Sequence, residues 1–154
     1  MRTVLFPGTF DPFTLGHESI VKRSMQFFDR LIIAIGINDQ KKPYYSLDKR
    51  LEQIAACFPK QSNIEITHYT GLTGDFARQK NCQAILRGVR SVADYEYEKT
   101  LADFNYKAFG LETFFLYSKP ELSMVNSAMV RELLRHGKDV SSYVPAALLP
   151  LLDL

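Results

Sequence analysis

Strand-length apolar runs alternate along the chain with segments in which apolar residues recur at the spacing of a helix. The predicted strands are residues 3–6, 31–37, 64–69, 84–86 and 113–117, and the predicted helices are residues 15–28, 46–58, 74–80, 94–109, 127–136 and 146–152. The run from Leu31 to Ile37 is nearly continuous and rich in β-branched residues, which is typical of a strand buried on both faces. The alternation predicts one α/β domain over residues 1–154, with a five-stranded parallel sheet and helices on both faces.

In a Rossmann-like sheet of this kind, ligands bind where the loops gather at the carboxyl ends of the strands. The loop after the first predicted strand runs from Pro7 to His17. In it Gly8 allows the backbone to approach a ligand closely, and Thr14 is expected to cap the next helix. His17 then falls in the first helical turn, where free N–H groups and the positive dipole end attract phosphate. A surface histidine tolerated near a helix start is the alternative, but the neighbouring glycines and threonines favour a functional role.

Basic and capping residues follow the other predicted strands. Lys41 and Lys42 follow the second strand, although a pair of loop lysines is often simply solvated. The segment Arg87-Gly88-Val89-Arg90 follows the fourth strand and presents two arginines that can fork onto phosphate oxygens. After the fifth strand, Asn126 or Ser127 can cap a helix, and capping alone explains both residues.

Composition narrows the class of partner. The chain is 46% hydrophobic and 23% charged, as is ordinary for a soluble globular protein, and its net charge of +2 is too small to indicate a nucleic-acid surface. The longest near-apolar stretch is too short to span a bilayer, and the N-terminus does not resemble a signal peptide. Cys57 and Cys82 form no C-x-x-C pair and are interpreted as small buried hydrophobes in a reducing compartment, with a disulfide as the alternative. We therefore expect a cytoplasmic protein without nucleic-acid or membrane partners.

Two familiar nucleotide-binding signatures are missing from the sequence, which contains neither G-x-G-x-x-G nor a Walker P-loop. The turn from Thr14 to His17 instead resembles the Thr/His-x-Gly-His motif of the nucleotidylyltransferase superfamily. Three segments together resemble the phosphopantetheine adenylyltransferases over essentially the whole chain. They are Phe6 to His17 (FPGTFDPFTLGH), Lys41 to Pro43 (KKP) and Arg87 to Glu98 (RGVRSVADYEYE). The last segment combined with the first is the most specific feature.

The resemblance implies adenylyl transfer from ATP to 4′-phosphopantetheine, giving dephospho-coenzyme A and pyrophosphate. It also implies a homohexamer built as a dimer of trimers, with coenzyme A as a feedback ligand. Because neither cysteine stands in a motif and G-x-S-x-G is absent, direct in-line attack without a covalent enzyme intermediate is expected. Mg²⁺ is expected to accompany the triphosphate, held by substrate oxygens and water, since the sequence has no obvious carboxylate cage.

Site residues are implied by the same resemblance, position by position. The residues expected to stabilise the transferring phosphate are His17, Lys41 and Arg90. The implied phosphopantetheine-binding residues are Thr9, Lys41, Thr73, Arg87, Asn105 and Glu132. The implied ATP-binding residues are Thr9, Phe10, His17, Gly88, Val89, Arg90, Glu98, Leu122, Ser123, Met124, Val125, Asn126, Ser127 and Ala128.

One segment departs from the family pattern. Where the family has Ile-Ser-Ser-Thr or Ile-Ser-Ser-Ser, this chain has Val125-Asn126-Ser127-Ala128, so that Ala128 lacks a hydroxyl. One side-chain contact to the ATP phosphates is expected to be lost, whereas backbone N–H contacts are expected to remain. Two alternatives stay open: the same chemistry with another phosphorylated acceptor, and a nucleotide-binding module that has lost catalysis.

Overall fold

Five parallel strands form the centre of the computed structural model, which describes residues 1–153. They are β1 (Thr3–Gly8), β2 (Arg30–Gly36), β3 (Ile64–Tyr69), β4 (Ala84–Val89) and β5 (Glu112–Tyr117), arranged in the order β3-β2-β1-β4-β5. Each neighbouring pair is parallel. The predicted five-stranded parallel sheet is confirmed.

Five α-helices and two short 3₁₀ helices connect the strands. The α-helices are α1 (Leu15–Ser24), α2 (Leu47–Cys57), α3 (Thr73–Gln79), α4 (Val92–Phe109) and α5 (Ser127–Arg135), and the 3₁₀ helices are Pro120–Leu122 and Ala146–Leu151. Four of the α-helices begin at a polar side chain that accepts a backbone N–H, namely Thr14, Ser46, Ser91 and Asn126. These caps explain why each helix begins where it does.

The alternation of side chains along β1 divides the core into two layers. Val4 and Phe6 face one layer, where they pack with residues of α1, α2 and α5. Leu5 faces the opposite layer, which contains Phe76 and Ala77 of α3 and is completed by α4. Helices therefore cover both faces of the sheet, as the sequence predicts.

Several predicted boundaries and one predicted helix type differ from the structure, and three of these differences have a clear cause. Helix α1 ends at Ser24 and not near residue 28, because the following backbone tightens into three-residue turns while Met25 and Phe28 still pack on the core. The helix predicted over residues 146–152 is a 3₁₀ helix, Ala146–Leu151, with Pro150 inside it. Strand β4 continues to Val89, because its last residues keep pairing with β5.

The winding of the chain creates a switch point between β1 and β4. From β1 the chain proceeds outward through β2 and β3, and it then returns to the other side of β1 for β4 and β5. Loops leaving β1 and β4 at their carboxyl ends therefore separate, which opens the crevice where such sheets bind ligands. Across residues 1–153, no helix is long and apolar enough to cross a membrane.

Candidate active site

Three adjoining cavities lie at the switch point, at the carboxyl edge of the sheet. The first cavity, of about 260 Å³, lies against the starts of α1 and α5, and the second, of about 420 Å³, lies against α3 and α4. The third cavity, of about 610 Å³, lies beside the loop after β2. Pro7, Gly8, Thr9 and Arg87 line both the first and the second cavity, and Thr9 lines all three. Because they share these lining residues, the three cavities form one cleft.

His17 is fixed at the start of α1 by a reciprocal pair of hydrogen bonds with Thr14. The His17 N–H donates to Thr14 Oγ1 at 3.3 Å, and the Thr14 N–H donates to His17 Nδ1 at 3.0 Å. Because a backbone N–H can only donate, Nδ1 must be the accepting nitrogen. This hydrogen bond assigns the ring proton to Nε2, on the opposite side of the imidazole.

The surroundings of His17 keep its imidazole neutral. Burial lowers the pKa of His17 from 6.5 to about 3, and the charges of Arg87 and Arg90 act in the same direction. The ring lies against Phe10 and Phe13, with centroid separations of 5.0 and 5.4 Å. Because the imidazole is uncharged, it is not repelled by the positive end of the α1 dipole. His17 presents an uncharged N–H donor at neutral pH.

The turn that carries Thr9 is shaped by Gly8 and Phe10. Phe10 is buried and has a φ of +50°, in the left-handed region that large side chains seldom adopt. A Cβ at position 8 would lie 2.8 Å from Cζ of the Phe10 ring, so only glycine fits beneath it. This turn leaves Thr9 exposed at the meeting point of the three cavities.

A second helix start opens onto the first cavity. Asn126 Oδ1 accepts the Met129 N–H at 2.8 Å, and Ser127 Oγ donates to the Pro12 carbonyl at 2.8 Å. The cap of α5 is therefore Asn126, the first of the two predicted candidates. Residues from the starts of α1 and α5 together line this cavity, and two helix N-termini facing one space favour an anion.

Arg87 and Arg90 hold different positions. Arg87 lies inside β4, donates twice to Glu98 of α4 at 2.7 and 2.6 Å, and donates to the Pro7 carbonyl at 2.6 Å. Burial alone would lower the pKa of Arg87, but hydrogen bonding and the charge of Glu98 raise it overall. Arg90 lies at the first cavity and pairs with Asp94, with Nε 3.1 Å from Oδ2.

The second cavity combines apolar walls with hydroxyl and amide groups. Its polar side chains include Thr73 and Asn105, both predicted to contact phosphopantetheine, together with Tyr69. The Tyr69 hydroxyl lies 2.8 Å from Thr73 Oγ1, and its ring stacks on Phe76 with centroids 4.7 Å apart. Leu72, Leu101 and Phe104 supply apolar surface.

The third cavity is lined by five basic residues among others. They are Lys41, Lys42, Arg50, Arg131 and Arg135. Lys41 therefore lines a different cavity from His17, and Thr9 lines both cavities.

The cleft gathers most of the predicted site residues. The first cavity is lined by Thr9, Phe10, His17, Gly88, Arg90, Val125, Asn126 and Ser127, and the second by Thr73, Glu98 and Asn105, with Arg87 common to both. Val89 is buried beneath the cleft, and Leu122 lines a separate groove beside α1. Ser123, Met124 and Ala128 are exposed. Glu132 lies on the exposed side of α5, where it pairs with Arg135 and His136 at 3.4 and 3.5 Å.

Two buried charged residues that support the cleft were not predicted. Asp11 accepts the backbone N–H groups of Tyr44 and Tyr45 at 2.7 and 2.9 Å, and Arg50 donates to the Thr9 carbonyl at 2.9 Å. Burial lowers the pKa of Arg50, while the charge of Asp11 raises it. Arg50 lies on the apolar side of α2, and a charged residue in that position is the signal that could have identified it.

Residues 1–153 contain neither a side-chain cluster suited to a metal ion nor a reactive thiol. Within residues 1–153, no three His, Cys, Asp or Glu side chains are grouped in a way that could hold a metal ion. Burial raises the pKa of Cys57 to about 12 and that of Cys82 to about 11, so both thiols stay protonated and are poor nucleophiles.

Comparisons with known proteins agree with this geometry. The cytidylyltransferase-like family profile matches residues 5–133. The phosphopantetheine adenylyltransferase of Phocaeicola vulgatus is 50% identical over 145 residues, covering 94% of this chain and 96% of that protein. Those of Bacteroides fragilis and Flavobacterium johnsoniae are 49% and 44% identical, covering 94% and 96% of this chain and 97% of each relative.

A solved structure shares the fold. The crystal structure of a Vibrio parahaemolyticus protein assigned as a nicotinate-nucleotide adenylyltransferase superposes with a TM-score of 0.69 at 18% identity, covering 99% of this chain and 92% of that one. At this identity the likeness concerns the fold alone.

Proposed function

We propose that this chain, which belongs to the phosphopantetheine adenylyltransferase family, transfers the adenylyl group of ATP to 4′-phosphopantetheine, giving dephospho-coenzyme A and pyrophosphate. Family membership makes the chain an enzyme of coenzyme A biosynthesis. The observation that carries the proposed reaction is the first cavity, where two helix starts and a neutral His17 face Arg90. The cavity thus presents several N–H donors to an anion.

The proposed reaction is a direct displacement at the α-phosphorus of ATP. A phosphate oxygen of phosphopantetheine attacks that phosphorus and forms the new P–O bond, while the bond to the bridging oxygen breaks and pyrophosphate leaves with its electron pair. His17 Nε2–H donates to an oxygen of the α-phosphate, and Arg90 and the two helix N-termini stabilise its charge. The protonated state of both cysteine thiols supports a route without a covalent enzyme intermediate.

The acceptor would occupy the second cavity, with its phosphate near Thr9 and Arg87 and its arm along Thr73 and Asn105. The mixture of apolar walls, hydroxyls and an amide suits an arm that itself alternates amide and methylene groups. Lys41, which lines the third cavity together with Thr9, is proposed to bring its ammonium group to the same phosphate. Coenzyme A, which shares this arm, is proposed as a feedback ligand of the cavity.

Magnesium would be bound mainly by the substrate. Two carboxylates that line the cleft are already engaged, because Asp11 accepts two backbone N–H groups and Glu98 accepts two bonds from Arg87. Bound Mg²⁺ would neutralise part of the triphosphate charge, and ATP oxygens and water would complete its coordination. The residues above bind and orient the substrates around it.

Assembly into a hexamer, as a dimer of trimers, is part of the proposal. Helix α4 exposes a row of large apolar side chains, and β5 exposes further ones at the edge of the sheet. They include Val92, Tyr97, Leu101, Phe104, Phe114 and Tyr117. Sedimentation at micromolar concentration tests this, and a monomer would refute it.

A cytoplasmic location is also proposed, and the two free thiols suit a reducing compartment.

The decisive experiment measures pyrophosphate release from ATP with and without added 4′-phosphopantetheine. We expect release that depends strictly on this acceptor and that is weak with other phosphorylated metabolites. Equal release with another acceptor would favour the same chemistry on a different substrate. Tight ATP binding without release under any acceptor would indicate a non-catalytic nucleotide-binding module.

A further inference from the structure

Two buried charged side chains join the turn after β1 to the loop after β2. Asp11 is 4% exposed and Arg50 is 6% exposed, and both bond to backbone atoms of these two connections. Asp11 accepts the N–H groups of Tyr44 and Tyr45. Arg50 donates from Nη1 to the Thr9 carbonyl at 2.9 Å and from Nε to the Tyr45 carbonyl at 3.1 Å. We call Asp11 and Arg50 the clamp.

The clamp closes a ring of hydrogen bonds around the two connections. Tyr45 is bonded through its N–H to Asp11 and through its C=O to Arg50, so it is held from both sides. Arg50 is in turn bonded to Thr9, which lies two residues before Asp11 in the chain. Because the guanidinium is a rigid planar fork, the separation of its two carbonyl partners is fixed. The clamp therefore sets the position of the loop after β2 relative to Thr9.

An arginine at position 50 is unexpected on grounds of stability alone. It lies at helical spacing from Leu47 and Ile54, which pack on the core. A buried charge loses its hydration, and apolar residues at such positions are often at least as stabilising. An apolar side chain could fill this space, but it could not bond two carbonyls. What the arginine adds is the fixed connection between the two segments.

The connected segments carry two residues of the proposed acceptor site. Thr9 lines all three cavities, and Lys41, three residues before Tyr44, lines the third. We propose that Arg50 is a positioning residue, which holds Lys41 and Thr9 at the separation that one acceptor phosphate requires. The proposal rests on the proposed function, because it needs a phosphate that contacts both residues.

Arg50→Lys separates the hydrogen bonds of Arg50 from its positive charge. Arg50 itself lines the third cavity, and a lysine keeps the charge there but lacks the planar fork. We expect kcat/KM for phosphopantetheine to fall about 10- to 100-fold, the size of effect expected from a misplaced substrate-binding group. The KM for ATP should change less than about twofold, because neither Arg50 nor Lys41 lines the first cavity.

Arg78→Lys is the matched control. Arg78 of α3 also donates from Nε to a carbonyl of another segment, that of Phe109 at 3.0 Å, but it lines none of the three cavities. This variant should keep the wild-type kcat/KM for phosphopantetheine.

A double-mutant cycle shows whether Arg50 acts through Lys41. Lys41→Met removes the ammonium group that the clamp is proposed to place. In that background Arg50→Lys should lower kcat/KM less than about threefold, because no charge at position 41 is left to place. An undiminished effect would show that Arg50 acts independently of Lys41 and would overturn the inference. The inference also fails if Arg50→Lys alone keeps the wild-type kcat/KM, or if it mainly raises the KM for ATP.

Two further measurements decide the question if circular dichroism shows that Arg50→Lys does not fold. Asp11→Asn loosens the clamp from its other end, since an amide offers one accepting oxygen in place of two, and it should cause the same selective fall in kcat/KM. In wild type, the N–H groups of Tyr44 and Tyr45 should exchange with solvent as slowly as other hydrogen-bonded amides. Wild-type kinetics for Asp11→Asn, or exchange of these N–H groups at the rate of an unprotected loop, would overturn the inference.

Failure of the proposed function looks different. If wild type releases no pyrophosphate with phosphopantetheine, the proposed function fails and the inference falls with it. If wild type is active and the variants of the clamp respond otherwise than expected, the inference fails alone.

Discussion

Replacing His17 by glutamine would remove a titrating group from the cleft while keeping the start of α1 intact. Thr14 and residue 17 form a capping box, in which the side chain at the later position accepts the Thr14 N–H. Glutamine is a standard residue at that position of the motif. The substitution therefore isolates the protonation of His17 from its part in capping the helix.

The expected effect is a change in how stability depends on pH. The pKa of His17 is about 3 in the folded protein against 6.5 for an ordinary histidine. Between these two pH values the imidazole is protonated in the unfolded chain and neutral in the folded chain. Stability from this group is complete above pH 6.5 and is lost as the pH falls toward 3. At pH 5 the loss relative to pH 8 is about 2 kcal/mol, and a folded pKa one unit higher changes this figure very little.

Urea unfolding at pH 8 and pH 5 measures the effect directly. Wild type should lose about 2 kcal/mol more unfolding free energy over this interval than His17→Gln does. His68→Gln, which removes an exposed histidine of β3, should lose as much as wild type. If wild type and His17→Gln lose stability equally, His17 is not held neutral by its surroundings.

Three further substitutions probe the cleft. His17→Ala should lower kcat for pyrophosphate release about 10²- to 10³-fold, with a smaller change in ATP affinity, as for the loss of one oxyanion donor. Gly8→Ala should reduce the urea unfolding free energy by about 1–3 kcal/mol, because its Cβ would overlap the buried Phe10 ring. Ala128→Ser should change the KM for ATP less than about twofold, because the side chain at this position is exposed and does not line the first cavity.

Each of these expectations has a matched control and a contrary result. His136→Ala removes an exposed histidine at the end of α5 and should leave kcat unchanged. Gly16→Ala should cost no stability, because a Cβ at position 16 would lie 3.4 and 3.6 Å from its two nearest neighbouring atoms. The argument for His17 is contradicted if His17→Ala keeps the wild-type kcat, and the argument for Gly8 is contradicted if Gly8→Ala keeps full stability. The argument for Ala128 is contradicted if Ala128→Ser lowers the KM for ATP several-fold.

Local sequence patterns predict much of the fold and part of the candidate active site. Periodicity locates all five strands, and the polar residues Thr14 and Asn126 mark helix starts because capping needs only a few neighbouring atoms. The neutral state of His17 depends on the buried rings of Phe10 and Phe13 and on distant arginines. The lowered pKa of His17 results from burial in the folded chain, and burial of this kind cannot be predicted from the linear pattern of residues.

The hydrogen-bond partner of Arg87 is a second feature that sequence patterns cannot predict, because it lies on another element. Sequence alone places Arg87 in a loop with a fork free for phosphate, because the apolar run before it ends at Leu86. In the folded chain the strand continues, and pairing with β5 turns the side chain toward Glu98 of α4. The resemblance assigns the two residues to different substrates, and their contact appears only when strand and helix are packed.

The structure at the start of α5 indicates that the unusual Val125 to Ala128 segment has little effect on phosphate binding. Asn126 caps the helix in place of the usual serine, so the backbone N–H groups of the first turn keep their orientation toward the first cavity. Those groups, and the dipole behind them, attract phosphate whatever side chain the residue carries. The hydroxyl missing at Ala128 is removed from an exposed position, whereas a change that uncapped Asn126 would disturb the donors themselves. Selection on this loop should therefore act on the cap more strongly than on the last residue of the motif.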